Sequence, residues 1–107
     1  MHREPLKIAL SHQSLVVGAV VENRARLLEQ VERARSEGVH LIIFPELATL
    51  GYPPRDLLQL PGQVEGNLQT LDALREASVG IAVLVGHVAR REEGHGPPLI
   101  NCASLLR

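Results

Sequence analysis

The stretch Val39-His40-Leu41-Ile42-Ile43-Phe44-Pro45-Glu46-Leu47-Ala48-Thr49-Leu50-Gly51-Tyr52-Pro53-Pro54-Arg55-Asp56-Leu57-Leu58 decides how this chain is read. Its first six residues form an apolar run with an unbroken core, Leu41 to Phe44. Such a run fits a central strand covered on both faces. Pro45 ends it, because proline has no N–H to give to a ladder. Glu46 then falls just past the strand's end, ahead of a loop punctuated by Gly51, Pro53 and Pro54. In open α/β sheets the crevice beyond the carboxyl ends of the strands is where ligands bind. The chain's one Phe and one Tyr, Phe44 and Tyr52, both lie in this window.

Outward from this stretch, strands and helices alternate. Leu6 to Ser11 reads as a first strand. From about Val20 to Glu37 the period changes: Val20, Leu27, Leu28, Val31 and Ala34 recur at helical spacing, with charges between them. Gly38 stands where a left-handed helix C-cap is expected. Beyond the loop, Arg55 to Leu60 is expected to form one helical turn, broken by Pro61-Gly62. Val64 to Ser78 reads as a second amphipathic helix. Gly80 to Val88 reads as a third strand, and Leu99 to Leu106 as a fourth. The run Arg91 to Pro98 between them is a charged, Gly/Pro-rich turn short enough for a hairpin. The order β-α-β-loop-α-β-turn-β argues for an α/β fold with parallel neighbours. The chain stops at Arg107, directly after an apolar strand. A bare strand exposes an edge, so the sequence reads as the front part of something longer.

At 107 residues the chain is one domain at most. A chain of this length can bury roughly two-thirds of its unfolded surface. With 2% aromatics, its core must be built from Leu, Val, Ile and Ala. The net charge of -1 gives no electrostatic case for nucleic acid or an anionic membrane. The Arg residues between 24 and 35 alternate with Glu22, Glu29, Glu32 and Glu37, the pattern of a solvated helix face. No apolar run approaches the roughly 20 residues that span a bilayer. The first residues lack a signal peptide's apolar stretch. One cysteine leaves no internal disulfide and fits a reducing cytoplasm.

Glu46 is the leading candidate for chemistry. A carboxyl buried just after a strand can be tuned toward a general base. The plainer readings are a solvated loop carboxylate or a helix cap. Cys102 sits in an apolar strand and reads as structural, because nothing adjacent would activate its thiol. The five histidines have no metal-ligand spacing, and no metal site is expected. His87 stands at the expected end of the third strand. It could face the same crevice as Glu46 or be a satisfied polar residue, and His12 carries the same ambiguity. Gly86-His87-Val88-Ala89-Arg90-Arg91 is not a dinucleotide fingerprint, which disfavours a nucleotide site here.

The run from Phe44 to Leu58 resembles the carbon–nitrogen hydrolase (nitrilase) superfamily. More narrowly, Phe-Pro-Glu-Leu-Ala-x-x-Gly-Tyr-Pro-Pro-x-Asp-Leu-Leu is similar to the N-terminal glutaminase domain of glutamine-dependent NAD synthetases. Lys7 to Leu10, Val17-Gly18, Asn23, Val83 to Gly86, and Asn101 with Ala103 extend the likeness along the chain. The resemblance implies that residues 1–107 are the N-terminal part of a four-layer αββα sandwich, truncated on its C-terminal side. It also implies a Glu-Lys-Cys triad that releases ammonia from glutamine. Glu46 matches the general base, and Tyr52 matches a loop tyrosine near the glutamine pocket. The family's lysine and nucleophilic cysteine lie beyond Arg107 in that comparison. Lys7 and Cys102 are therefore not triad members, and the 107 residues alone are expected to be inactive. Departures occur at His12, Ala19 and Ile100, where the family usually has Gln, Asp and Tyr.

On this reading the small-molecule substrate is glutamine, with no nucleic-acid or membrane partner. No cofactor is expected in this segment. ATP and nicotinate adenine dinucleotide would bind a separate synthetase domain, and the full-length family implies an oligomer. Two alternatives stand beside it. One is a fragment of another amidase or nitrilase with no synthetase domain. The other is a non-catalytic truncated scaffold that pairs its exposed strand with a partner.

Overall fold

The computed structural model describes residues 5–12, 15–51, 62–90 and 99–107. The elements run β1 (Ile8–Leu10), α1 (Val20–Ser36), β2 (Leu41–Ile43), α2 (Gln63–Ala77), β3 (Ala82–Arg90) and β4 (Leu99–Leu106). The strands form one sheet in the order β1-β2-β3-β4. The first three strands are parallel, and β4 returns antiparallel to β3. This is the α/β order expected from the sequence. The first two strands are shorter than the apolar runs that suggested them. The helical turn expected at 55–60 lies outside the described residues.

α1 ends as its glycine foretells. Gly38 takes φ +77°. Its N–H donates to Arg35 O at 3.1 Å, and the Val39 N–H reaches back to Ala34 O at 3.0 Å. This is a Schellman closure, which satisfies carbonyls the helix leaves open. It also turns the chain directly into β2.

Register assigns the two faces of the sheet. Ala9, Ile42, Val83 and Leu106 align across the four strands. These residues pack with Leu27, Val31 and Ala34 of α1 and Leu74 of α2 in the main core. Both helices therefore cover the same face. One residue along, Leu10, Ile43, Leu84 and Leu105 form the opposite row. Leu10 is 62% exposed and Leu105 56% exposed. The described residues thus build two layers, a pair of helices on a sheet whose other apolar face is open.

The charged face of α1 is less uniformly solvated than its pattern suggests. Arg33–Glu37 and Arg35–Glu32 pair along the helix, and exposed pairs of this kind add little stability. Arg24, however, crosses to α2. Its Nε donates to Thr70 Oγ1 at 2.9 Å and its Nη2 to Gly66 O at 3.1 Å. Arg35 likewise donates to Ala77 O. Gly66 permits the close helix approach, because a β-carbon there would sit 2.8 Å from Val20 Cγ1. Two of the arginines are thus inter-helix ties. No helix among the described residues is long and apolar enough to cross a membrane.

Candidate active site

β2 hands the chain to a tight turn. Phe44 N–H still donates to Leu84 O at 2.8 Å, so pairing with β3 runs one residue past the strand. Pro45 then ends the ladder and Glu46 to Leu50 form a turn. Leu50 N–H and Gly51 N–H both donate to Leu47 O, at 3.0 and 2.9 Å. Leu47 adopts φ +49°, the left-handed region that a branched side chain avoids. Strain of this kind persists only where surrounding contacts over-determine it.

Those contacts come from three sides. Gly86 on β3 has no side chain, and the turn fills that space. A β-carbon there would meet Leu47 N at 2.6 Å and Glu46 Cα at 2.9 Å. From α2, the fully buried Asn67 holds the turn to the sheet. Its Nδ2 donates to Val88 O at 2.6 Å, and its Oδ1 accepts from Val88 N–H at 3.0 Å and from the Thr49 hydroxyl. Leu47 and Leu50 also pack with Val20 and Val88 in a second apolar cluster.

The loop before α1 closes against the same turn. Asn23 accepts from Val16 N–H at 3.0 Å and donates to Val16 O at 2.7 Å, standing in for a strand partner. Gly18 N–H donates to Leu50 O at 3.0 Å. Gly51, at φ +81°, would drive a β-carbon to 2.8 Å from Val17 Cα.

Glu46 projects from this braced turn. Burial was the expected source of its tuning, yet the side chain is exposed. What it has instead is a partner: Asn101 Nδ2 on β4 donates to Glu46 Oε1. The carboxylate borders a cavity of about 330 Å3 lined by Phe44, Leu84, Gly86, Asn101, Cys102 and Ala103. β3 and β4 extend beyond the end of β2 and form its wall. The cavity thus lies at the carboxyl end of β2, as the loop's position suggested. A carboxylate held by one amide keeps lone pairs free to accept a proton.

The other candidates separate clearly. Tyr52 lies outside the described residues. His87 lies inside β3, which continues to Arg90. Its ring is buried, with Nε2 2.7 Å from Ser104 Oγ and Nδ1 3.3 Å from Val88 O. It is a satisfied core histidine. Cys102 pairs with His87 in register and is partly exposed. His12 borders a different cavity, between β1 and α1. Lys7 Nζ donates to Glu37 O at 2.7 Å, beside the C-terminal end of α1. Among the described residues, no group of three His, Cys, Asp or Glu side chains could hold a metal.

Residues 7–107 match the family model described as carbon-nitrogen hydrolase. The chain belongs to that family. Its curated relatives include the glutamine-dependent NAD(+) synthetase of Xanthomonas campestris, 39% identical over 103 residues. That match covers 95% of this chain and 18% of the relative, so the chain spans under a fifth of the protein it resembles. The solved glutamine-dependent NAD+ synthetase of Acinetobacter baumannii superposes with a TM-score of 0.82 at 31% identity, over 95% of this chain and 19% of that one. An amidase from Nesterenkonia sp. superposes with a TM-score of 0.77 at 23% identity, over 94% of this chain and 37% of that one, which is a likeness of fold. The α/β architecture read from the sequence is thus that of a nitrilase-type domain, seen here in part.

Asn67, Asn101 and the steric role of Gly86 escaped functional sequence reasoning. Asn101 and Gly86 were visible only as points of family likeness. Asn67 could have been noticed as a polar residue on the apolar stripe of an amphipathic helix.

Proposed function

We propose that this chain supplies the general-base part of a glutamine-hydrolysing site that provides ammonia for NAD synthesis. The observation that carries the reading is Glu46, braced at the rim of a cavity in a chain 39% identical to a glutamine-dependent NAD(+) synthetase. In the reaction, Glu46 takes the proton of a cysteine thiol, and the thiolate attacks the side-chain amide carbon of glutamine. The tetrahedral intermediate collapses to a thioester. Glu46 returns the proton to the departing nitrogen, which leaves as ammonia. Water, deprotonated by the same carboxylate, then cleaves the thioester and frees glutamate. This is the general logic of an activated cysteine with a positioned base.

The cysteine nucleophile and an oxyanion-stabilising lysine come from outside these 107 residues. Lys7, the one lysine in the sequence, is engaged at Glu37, which supports that view. The 107 residues alone therefore turn over no glutamine. Tyr52 is assigned to glutamine binding on the family likeness of its motif alone. ATP and nicotinate adenine dinucleotide are bound by a separate synthetase domain. The alternative of an amidase without such a domain has weaker support, since the run Tyr52-Pro53-Pro54-Arg55-Asp56-Leu57-Leu58 points to the synthetases.

The test is Glu46→Gln in the complete polypeptide that carries these residues. Loss of a general base costs about 10²–10⁴-fold in rate. Glutamine-driven NAD formation should fall by that factor, while synthesis from added ammonia is retained. Equal glutamine-driven rates in the variant and the parent would overturn the reading.

A further inference from the structure

Asn101 lies on β4, where its side chain is exposed on the sheet face that the helices leave open. Exposed strand positions ordinarily gain little from one specific amide. This one reaches a residue 55 positions away in sequence, donating from Nδ2 to Glu46 Oε1. Chemistry fixes the sense of that contact: an ionised carboxylate only accepts, so the amide must present its NH2 and not its oxygen. The local geometry leaves room for it. In register, Asn101 stands opposite Val88, and Ala103 stands opposite Gly86. The absent side chain of Gly86 and the short one of Ala103 let the carboxylate lie across β3 and meet β4.

We infer that Asn101 is a positioning residue for Glu46. It ties down Oε1 and leaves Oε2 as the oxygen that exchanges the proton. The turn's bracing by Gly86 and Asn67 fixes only the backbone of Glu46. Its side chain still has rotamer freedom in water, and Asn101 removes that freedom. Among the described residues lining the cavity, Cys102 on β4 is the other titratable group; β3 contributes Leu84 and Gly86, which carry no charge.

This inference rests on Glu46 being the general base, and the experiment separates the two. In the complete polypeptide, glutamine hydrolysis is followed against pH for Asn101→Ala, Asn101→Asp and Glu46→Gln. Asn101→Ala should lower kcat by roughly tenfold or more, the scale of a lost hydrogen bond to a charged group, with KM little changed. Asn101→Asp keeps the shape but sets two carboxylates against each other. One of them then holds its proton more tightly, so the acid limb of kcat/KM should move up by about one pH unit or more. A merely structural asparagine would not move that limb. If Glu46→Gln is inactive while both Asn101 variants keep the parent's kcat and acid limb, the positioning role is overturned. If Glu46→Gln turns over like the parent, the base reading falls and the role of Asn101 falls with it.

Discussion

Gly86 lies directly beneath Glu46, close enough that a β-carbon on the glycine would come within 2.9 Å of Glu46 Cα. Gly86 is not among the positive-φ glycines, so clearance rather than backbone freedom makes it necessary here. Gly86→Ala must push the turn off the sheet or bend β3 away from it. Overpacking of this kind costs about 1–3 kcal/mol. A displacement near 1 Å at a reacting group costs on the order of 10²-fold in rate. On the proposed role of Glu46, Gly86→Ala in the complete polypeptide should therefore lose about 10²-fold in glutaminase rate, alongside a stability loss of about 1–3 kcal/mol. Steady-state kinetics beside a melting curve checks this, and a variant that keeps the parent's kcat/KM would show that the turn tolerates the shift.

Asn67 is the polar residue on which the turn's bracing depends. It is fully buried, and it satisfies both backbone groups of Val88 as well as the Thr49 hydroxyl. Truncation would leave buried donors and acceptors unpaired, each at about 1–3 kcal/mol. With three such groups, Asn67→Ala should destabilise by about 3 kcal/mol or more. Thr49→Val removes one hydroxyl and should cost less. Because the two share an atom, their effects should fall short of additivity by about 0.5–3 kcal/mol in a double-mutant cycle measured by urea denaturation.

The strand and helix order was legible because it depends on local signals. Apolar runs, helical periodicity, Gly38 and Pro45 each act within a few residues of themselves. Glu46 was legible by position for the same reason. The contacts that brace and hold Glu46 were not. Gly86 is 40 residues from Glu46 in sequence, Asn101 is 55 away, and Asn67 is 21 from Val88. No period encodes such contacts, because they arise only when α2 and β4 dock beside the turn. For His87 the plainer of the two readings holds: β3 continues to Arg90 and buries the ring against Ser104 as a satisfied polar residue.

The main core should respond as an ordinary aliphatic core. Leu74 is fully buried between α2 and the sheet, in contact with the cluster that includes Leu27 and Val83. Leu74→Ala should cost about 2–5 kcal/mol, since the methylenes it removes leave a cavity. Val79, 72% exposed just beyond α2, is the control. Val79→Ala should stay within about 0.5 kcal/mol of the parent. Chemical denaturation of the two variants side by side tests the assignment of inner and outer residues.

The open sheet face makes its own prediction for a polypeptide of residues 1–107 alone. Ile8, Leu10 and Leu105 are 48%, 62% and 56% exposed on the face the helices do not cover. β1 and β4 are also the edges of the sheet. Contiguous apolar surface and unpaired strand edges both drive association. The 107-residue polypeptide should elute as dimers or larger species in size-exclusion chromatography, with the proportion rising with concentration. Leu10→Lys with Leu105→Lys places charge on that face while leaving the helix-side core intact. The double variant should shift the distribution toward monomer and lower the binding of a hydrophobic dye. If the parent elutes as a monomer at every concentration, with cooperative unfolding, the open face does not drive association. If the double variant associates as strongly as the parent, the contact is made through the strand edges rather than through the face.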